Sequence, residues 1–110
     1  MGTWKTFDVI SPNDITLRKD IIENCVASGT NLIDSSPMYG ESEKVVGQTT
    51  TKFKGEFKFA TKVWTRGEAQ GLDQIERSFD LLETDFIHLL QIHNLVDWET
   101  HLPTLRRLKE

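Results

Sequence analysis

Three strand-like runs alternate with helix-like stretches at a nearly constant period, and each run ends on a different titratable group. Asn31–Asp34 ends on a carboxylate, Phe57–Lys62 on an amine and Ile87–His93 on an imidazole. The end residues stand 28 and 31 positions apart. A parallel strand pair needs a crossover of a dozen or more residues, usually a helix, and each gap has that room. Side chains at the carboxyl ends of consecutive parallel strands converge on one rim, where α/β folds place their chemistry. Tyr39, five residues after Asp34 in the turn-rich loop 35–40, joins that rim. Asp, Tyr, Lys and His gathered in one place point to proton transfer.

The intervening segments carry helical signals. Ser11, Pro12, Asn13 and Asp14 have helix-start chemistry. Leu17, Ile21, Cys25 and Val26 then recur at helical spacing, and Gly29 suits the stop. Ser42 is a candidate cap for a helix carrying Val45 and Val46. Residues 52–56 read as a polar turn. Leu72, Ile75, Phe79 and Leu82 form an amphipathic stripe. The run 86–93 is nearly all apolar, as in strands covered on both faces. From Thr100 another helix is expected, with Pro103 in its first turn.

The order is therefore βαβαβα with a period of about 30 residues and no linker. Gly2-Thr3-Trp4 falls in phase with the later strand ends and reads as the tail of a first strand. Such an order gives an open doubly wound sheet or a closed (β/α)8 barrel. A barrel typically takes about 250 residues. Residues 1–110 would be close to half of one, and no domain boundary divides them. Taken alone such a piece would carry an open sheet edge and uncovered apolar helix faces, and it is expected to be marginal, self-associating through that edge, or inactive.

Composition narrows the function classes. A net charge of −4 and no basic run beyond Arg106-Arg107 leave no electrostatic footprint for nucleic acid. No stretch approaches the roughly 18 apolar residues of a membrane span, and no secretory signal is visible. Met1–Thr6 matches the loose myristoylation pattern, but Gly2-Thr3-Trp4 already has an explanation as a strand end. Cys25, the one cysteine, lies on the apolar stripe and reads as a small buried hydrophobe in a reducing, cytoplasmic setting. His88 and His93 are five apart, so a regular strand points them to opposite faces. No metal is expected. His88 reads as a structural residue on the strand's outer face, and His101 as an exposed helix-start residue.

Four matches now occur in order. Gly2-Thr3-Trp4-Lys5 resembles the turn after the first barrel strand of the aldo-keto reductases. Asp34 followed by Tyr39-Gly40-Glu41-Ser42-Glu43 resembles that family's Asp…Tyr-Gly-x-Ser-Glu signature. Ala60–Trp64 resembles its lysine strand, and Leu89–His93 its histidine strand. The resemblance implies that residues 1–110 are a single incomplete α/β domain, about the first four βα units of a (β/α)8 TIM barrel with the first strand truncated, from an oxidoreductase that uses NADPH to reduce an aldehyde or ketone to an alcohol. It implies catalytic roles for Asp34, Tyr39, Lys62 and His93. Thr3, Lys5 and Asp34 are implied cofactor contacts, and Trp4 and Trp64 the lining of a substrate pocket.

The chemistry stands beside the resemblance. Hydride addition to a carbonyl puts negative charge on its oxygen, so a proton donor must be ready there. A phenol keeps its proton at neutral pH, and an ammonium beside it eases release. Asp34 would hold Lys62 charged and in place, and His93 would orient the carbonyl or assist proton delivery. Only a cofactor supplies the hydride. Taken singly, a strand-end Asp or Lys is more often a loop anchor, and Trp4 and Trp64 equally fit rim packing. The Gly-x-Gly-x-x-Gly fingerprint is absent. Two alternatives remain. One is a cofactor-binding or regulatory member of the same family without turnover. The other is a Schiff-base lyase barrel built on Lys62, which leaves 39–43 unexplained.

Overall fold

The computed structural model describes residues 1–109, with Lys54 by its backbone alone. The first helix, α1, spans Pro12–Ser28. Ser11 caps it by accepting the Asp14 N–H at 3.1 Å. Gly29 ends it at φ 81°, a left-handed geometry that costs a residue without Cβ little. The chain continues through β1 (Leu32–Asp34), α2 (Ser42–Thr49), a 3₁₀ stretch (Thr51–Glu56), β2 (Lys58–Val63), α3 (Glu68–Leu82), β3 (Leu89–Ile92), a 3₁₀ turn (His93–Leu95) and α4 (Trp98–Lys109).

The strands lie in chain order β1-β2-β3, all parallel. Gly2 makes a parallel bridge to Asp34 on the other side of β1, where a preceding strand end was expected. Three strands and this bridge, with helices in the crossovers, form a partial (β/α)8 barrel.

Register assigns the faces. Asp34 pairs with Ala60 and Lys62 with Gln91. Alternation then puts Leu32, Asp34, Ala60, Lys62, Leu89 and Gln91 on one face and Ile33, Phe59, Thr61 and Val63 on the other. The second face is the core. Ile33 and Phe59 pack with Phe7, Ile22, Val45, Val46, Phe57 and Leu82, all buried. Gly47 lets α2 and α3 meet, because a Cβ there would collide with the Leu81 carbonyl.

Several expectations need correction. In α1, Leu17 and Ile21 are exposed and Ile22 is buried, with Ile15, Cys25 and Val26 packed against the core. Both sets have helical spacing, and the face presented by the rest of the fold selects between them. Cys25 is only partly buried. β3 is not covered on both faces: Leu89 is 50% exposed and Phe86, ahead of the strand, 61%. Its inner face meets no further layer among the described residues. Ser42 opens α2 but does not cap it; its hydroxyl donates to the Thr3 carbonyl at 3.1 Å. α4 starts at Trp98, which moves Pro103 out of the first turn and places His101 inside the helix, not at its start. His101 is buried, and its Nε2 pairs with the Thr65 carbonyl. His88 precedes β3, exposed, with its ring nitrogen and its own N–H both paired to the Phe59 backbone. No helix among the described residues is long and apolar enough to cross a membrane.

Candidate active site

Asp34 closes β1 with its backbone held from both sides. Its N–H donates to the Met1 carbonyl, and its carbonyl accepts the Thr3 N–H and the Thr3 hydroxyl. The short strand is thereby fixed at the residue whose carboxylate faces the site. Lys62, four-fifths of the way along β2, sends its ammonium to both Asp34 oxygens at 3.0 Å and to the Ser35 carbonyl at 2.7 Å. Those three acceptors match the three hydrogens of an ammonium. The lysine side chain is 10% exposed and that of Asp34 37%, so the pair sits at a boundary with solvent. Gln91 on β3 adds a donor to Asp34 Oδ1 at 3.3 Å.

Tyr39 reaches the same point from the β1–α2 loop. The Lys62 ammonium lies over its ring, 4.9 Å from the centroid. The loop is tied by Ser35 N–H to the Ala60 carbonyl and by Tyr39 N–H to the Ser36 carbonyl. Next to it Gly40 adopts φ 60°, and the Asp8 carboxylate occupies the space a side chain would take. Asp8 also accepts the Glu41 N–H at 2.9 Å. A residue other than glycine would meet both the dihedral strain and the carboxylate.

His93 follows β3 directly. Its ring stands edge-on to Tyr39, with centroids 5.7 Å apart and planes at 81°. Nδ1 lies 2.8 Å from the Ser36 hydroxyl. Desolvation first, then the nearby Lys62 ammonium, push the His93 pKa below the ordinary imidazole value, against the opposing pull of Asp34. The ring is therefore neutral at neutral pH.

Asp34, Lys62, Tyr39 and His93 thus form one unbroken series of contacts at the strand ends. The other expected residues sit around it differently. Thr3 is fully buried, with its hydroxyl given to Asp34. Lys5 is exposed, and its ammonium lies 4.7 Å from the Trp4 ring centroid. Trp4 and Trp64 are 61% and 41% exposed, so neither is packed into the core.

Two polar groups escaped the reading of the sequence, and a third, Glu43, entered it only as the end of the Tyr39–Glu43 signature, without a role. Gln91 shares the face of Lys62, a relation that needs the cross-strand register. Ser36 lies two residues after Asp34 in a loop whose path no periodicity gives. Glu43 is buried behind the sheet and accepts the Thr61 hydroxyl at 2.7 Å. Its burial pushes the carboxyl above the usual range, while the Thr61 hydrogen bond and the Lys62 and Arg77 charges pull the other way. Its place in a Ser-Glu pair at a helix start was the available signal.

The sequence profile described as the Aldo/keto reductase family matches residues 1–110. D-arabinose 1-dehydrogenase of Saccharomyces cerevisiae is 32% identical over 111 residues, covering 90% of this chain and 32% of that protein. PA4992 of Pseudomonas aeruginosa, described as an aldo-keto reductase, superposes with a TM-score of 0.80 at 29% identity, covering 99% of this chain and 49% of the other. An aldo-keto reductase from Klebsiella pneumoniae solved with NADPH shares the fold, with a TM-score of 0.74 at 24% identity over 84% of this chain and 34% of that one. The chain spans about a third of the length of the curated relative and about half of the Pseudomonas structure.

Proposed function

The chain belongs to the aldo/keto reductase family, and we propose that its strand-end cluster is the proton-transfer part of an NADPH-dependent site that reduces an aldehyde or ketone to an alcohol. The observation that carries this reading is the continuous series Asp34–Lys62–Tyr39–His93 at one rim. NADPH, when bound, supplies the hydride. Lys5, exposed in the turn after Gly2, suits a phosphate. The partly exposed Asp34 carboxylate suits a ribose hydroxyl. Thr3, buried, acts through the backbone of Asp34.

In this reading Tyr39 delivers the proton to the carbonyl oxygen. The Lys62 ammonium over its ring stabilises the negative charge left behind. Asp34 fixes that ammonium, and Gln91 fixes Asp34. His93, neutral, serves as a hydrogen-bond donor and not as a second acid. Trp4 and Trp64, both largely open, flank the approach of an apolar carbonyl compound. The geometry of Lys62 argues against a Schiff-base lyase: all three of its hydrogens are engaged by acceptors, so it has no free lone pair.

The test is NADPH oxidation followed at 340 nm with short aldehydes and ketones. Tyr39→Phe is expected to lower the rate by about 10²- to 10⁴-fold and to leave NADPH binding unchanged. Equal rates in the two proteins would sink the reading. A monomer of the 110 residues is expected to bind NADPH weakly, because it spans only about a third of the length of the curated relative. Titration of NADPH fluorescence measures that.

A further inference from the structure

We infer that Ser36 is a positioning residue that fixes the tautomer of His93, leaving Nδ1 as an acceptor and placing the proton on Nε2. The inference adds a residue to the proposed reductase site and rests on that reading for its functional meaning. The structural part stands on geometry alone.

Ser36 is fully buried, so its hydroxyl proton cannot turn to water. A buried hydroxyl donates where an acceptor is in reach. Two groups contact the Ser36 oxygen among the described residues: the Met38 N–H at 3.2 Å and His93 Nδ1 at 2.8 Å. The first is a donor and occupies an oxygen lone pair. The proton therefore goes to Nδ1, which must be unprotonated to receive it. A neutral imidazole then carries its hydrogen on Nε2. The lowered His93 pKa agrees with a neutral ring.

The reverse arrangement, with Nδ1–H donating to Ser36, would leave the buried hydroxyl proton without an acceptor. Among the described residues Nε2 has no hydrogen-bond partner, so its N–H is free for a ligand oxygen. A fixed donor at that point would stabilise charge growing on a carbonyl oxygen without giving up its proton. That division of labour leaves Tyr39 as the sole proton source. It also gives the loop after Asp34 a second task, since Ser36 supports His93 from one strand end while Ser35 holds Lys62 from the same turn.

Long-range 1H–15N correlation spectra of the 15N-labelled chain read the tautomer directly, with His93 assigned by its loss in His93→Gln. The expected wild-type pattern is a protonated Nε2 and an unprotonated, hydrogen-bonded Nδ1. In Ser36→Ala the Nδ1 resonance should move towards that of an unbonded acceptor, and in Ser36→Thr it should return. The carbonyl reduction rate should fall about 3- to 10-fold in Ser36→Ala, the worth of one hydrogen bond, and recover in Ser36→Thr. A protonated Nδ1 in the wild type overturns the inference, and that measurement needs no variant to fold. An unchanged Nδ1 resonance in Ser36→Ala overturns it too. If Tyr39→Phe keeps full activity while the tautomer is as stated, the reductase reading falls and the Ser36 assignment stands.

Discussion

Asp34 and Lys62 should be unequal partners in stability, and the inequality can be worked from their exposure. At 3.0 Å two unit charges attract by about 5 kcal/mol at an effective dielectric of about 20, and by about 1.4 kcal/mol in bulk water. With side chains 10% and 37% exposed, the pair lies between these limits. Breaking a fully buried pair costs about 3–5 kcal/mol and an exposed one about 0–1 kcal/mol. Asp34→Asn removes the charge from the open side and strands the ammonium on the closed side. One amide oxygen and the Ser35 carbonyl remain for it, so the expected loss is about 2–3 kcal/mol. Lys62→Met removes the buried ammonium and fills its channel with apolar atoms. It leaves Asp34 with Gln91 and with water, and the expected loss is about 0–1 kcal/mol. The double variant should resemble Lys62→Met, giving a coupling energy of about 2–3 kcal/mol. Urea unfolding followed by tryptophan fluorescence measures all four proteins. With a slope of about 1–3 kcal/mol per molar urea, the Asp34→Asn midpoint should fall by about 0.7–3 M. A loss under about 0.5 kcal/mol for Asp34→Asn, or an equal loss for Lys62→Met, would refute the reasoning.

Glu43 titrates above its ordinary value of 4.5 because it is buried, so its contribution to stability is present below that pH and is lost as pH rises through the folded-state value. Glu43→Gln abolishes that slope; the urea midpoint of the variant should gain on the wild type from pH 4 upward, and a pH-independent difference would refute the assignment. Gly47→Ala should lose about 1–3 kcal/mol by thermal unfolding despite a helix-propensity gain of about 1 kcal/mol, since the colliding atom is the Leu81 backbone carbonyl and not a flexible side-chain end. A variant as stable as the wild type would show that α2 can shift away from α3.

The strand ends were legible because they depend on a short-range pattern repeated at one period. Asp34, Lys62 and His93 close runs of β-forming residues, and the helices between them leave few ways to arrange parallel strands. What stayed hidden depends on which neighbour covers a surface. The apolar run 86–93 has the composition of a doubly covered strand, yet Leu89 is half exposed, because coverage belongs to other elements and not to the strand. Leu17 and Ile21 make as good a stripe as Ile15, Ile22 and Val26, and only the position of the core tells them apart. His101 is buried because the segment after β2 and helix α3 cover it: its Nε2 meets the Thr65 carbonyl and its ring lies against Gly71. Ser36 and Gln91 entered the site through loop path and register, neither of which leaves a period in the sequence.

Register also explains how four groups from separate segments meet. Asp34 pairs with Ala60, so Lys62 lies two residues further along β2 on the same face. Its long side chain spans that offset and returns to the end of β1. Gln91, opposite Lys62, completes the row from the next strand. A slip of one residue between β1 and β2 would send Lys62 to the opposite face and Thr61 into the site. The slip is opposed on both edges of β1. Met1 and Thr3 bind the Asp34 backbone on one side, and Ala60 accepts Ser35 N–H on the other. Behind the sheet Glu43 binds Thr61, which fixes the outward parity of β2 by a polar contact. The hydrogen bond from Thr61 to Glu43 therefore helps to aim Lys62, one residue on, at Asp34.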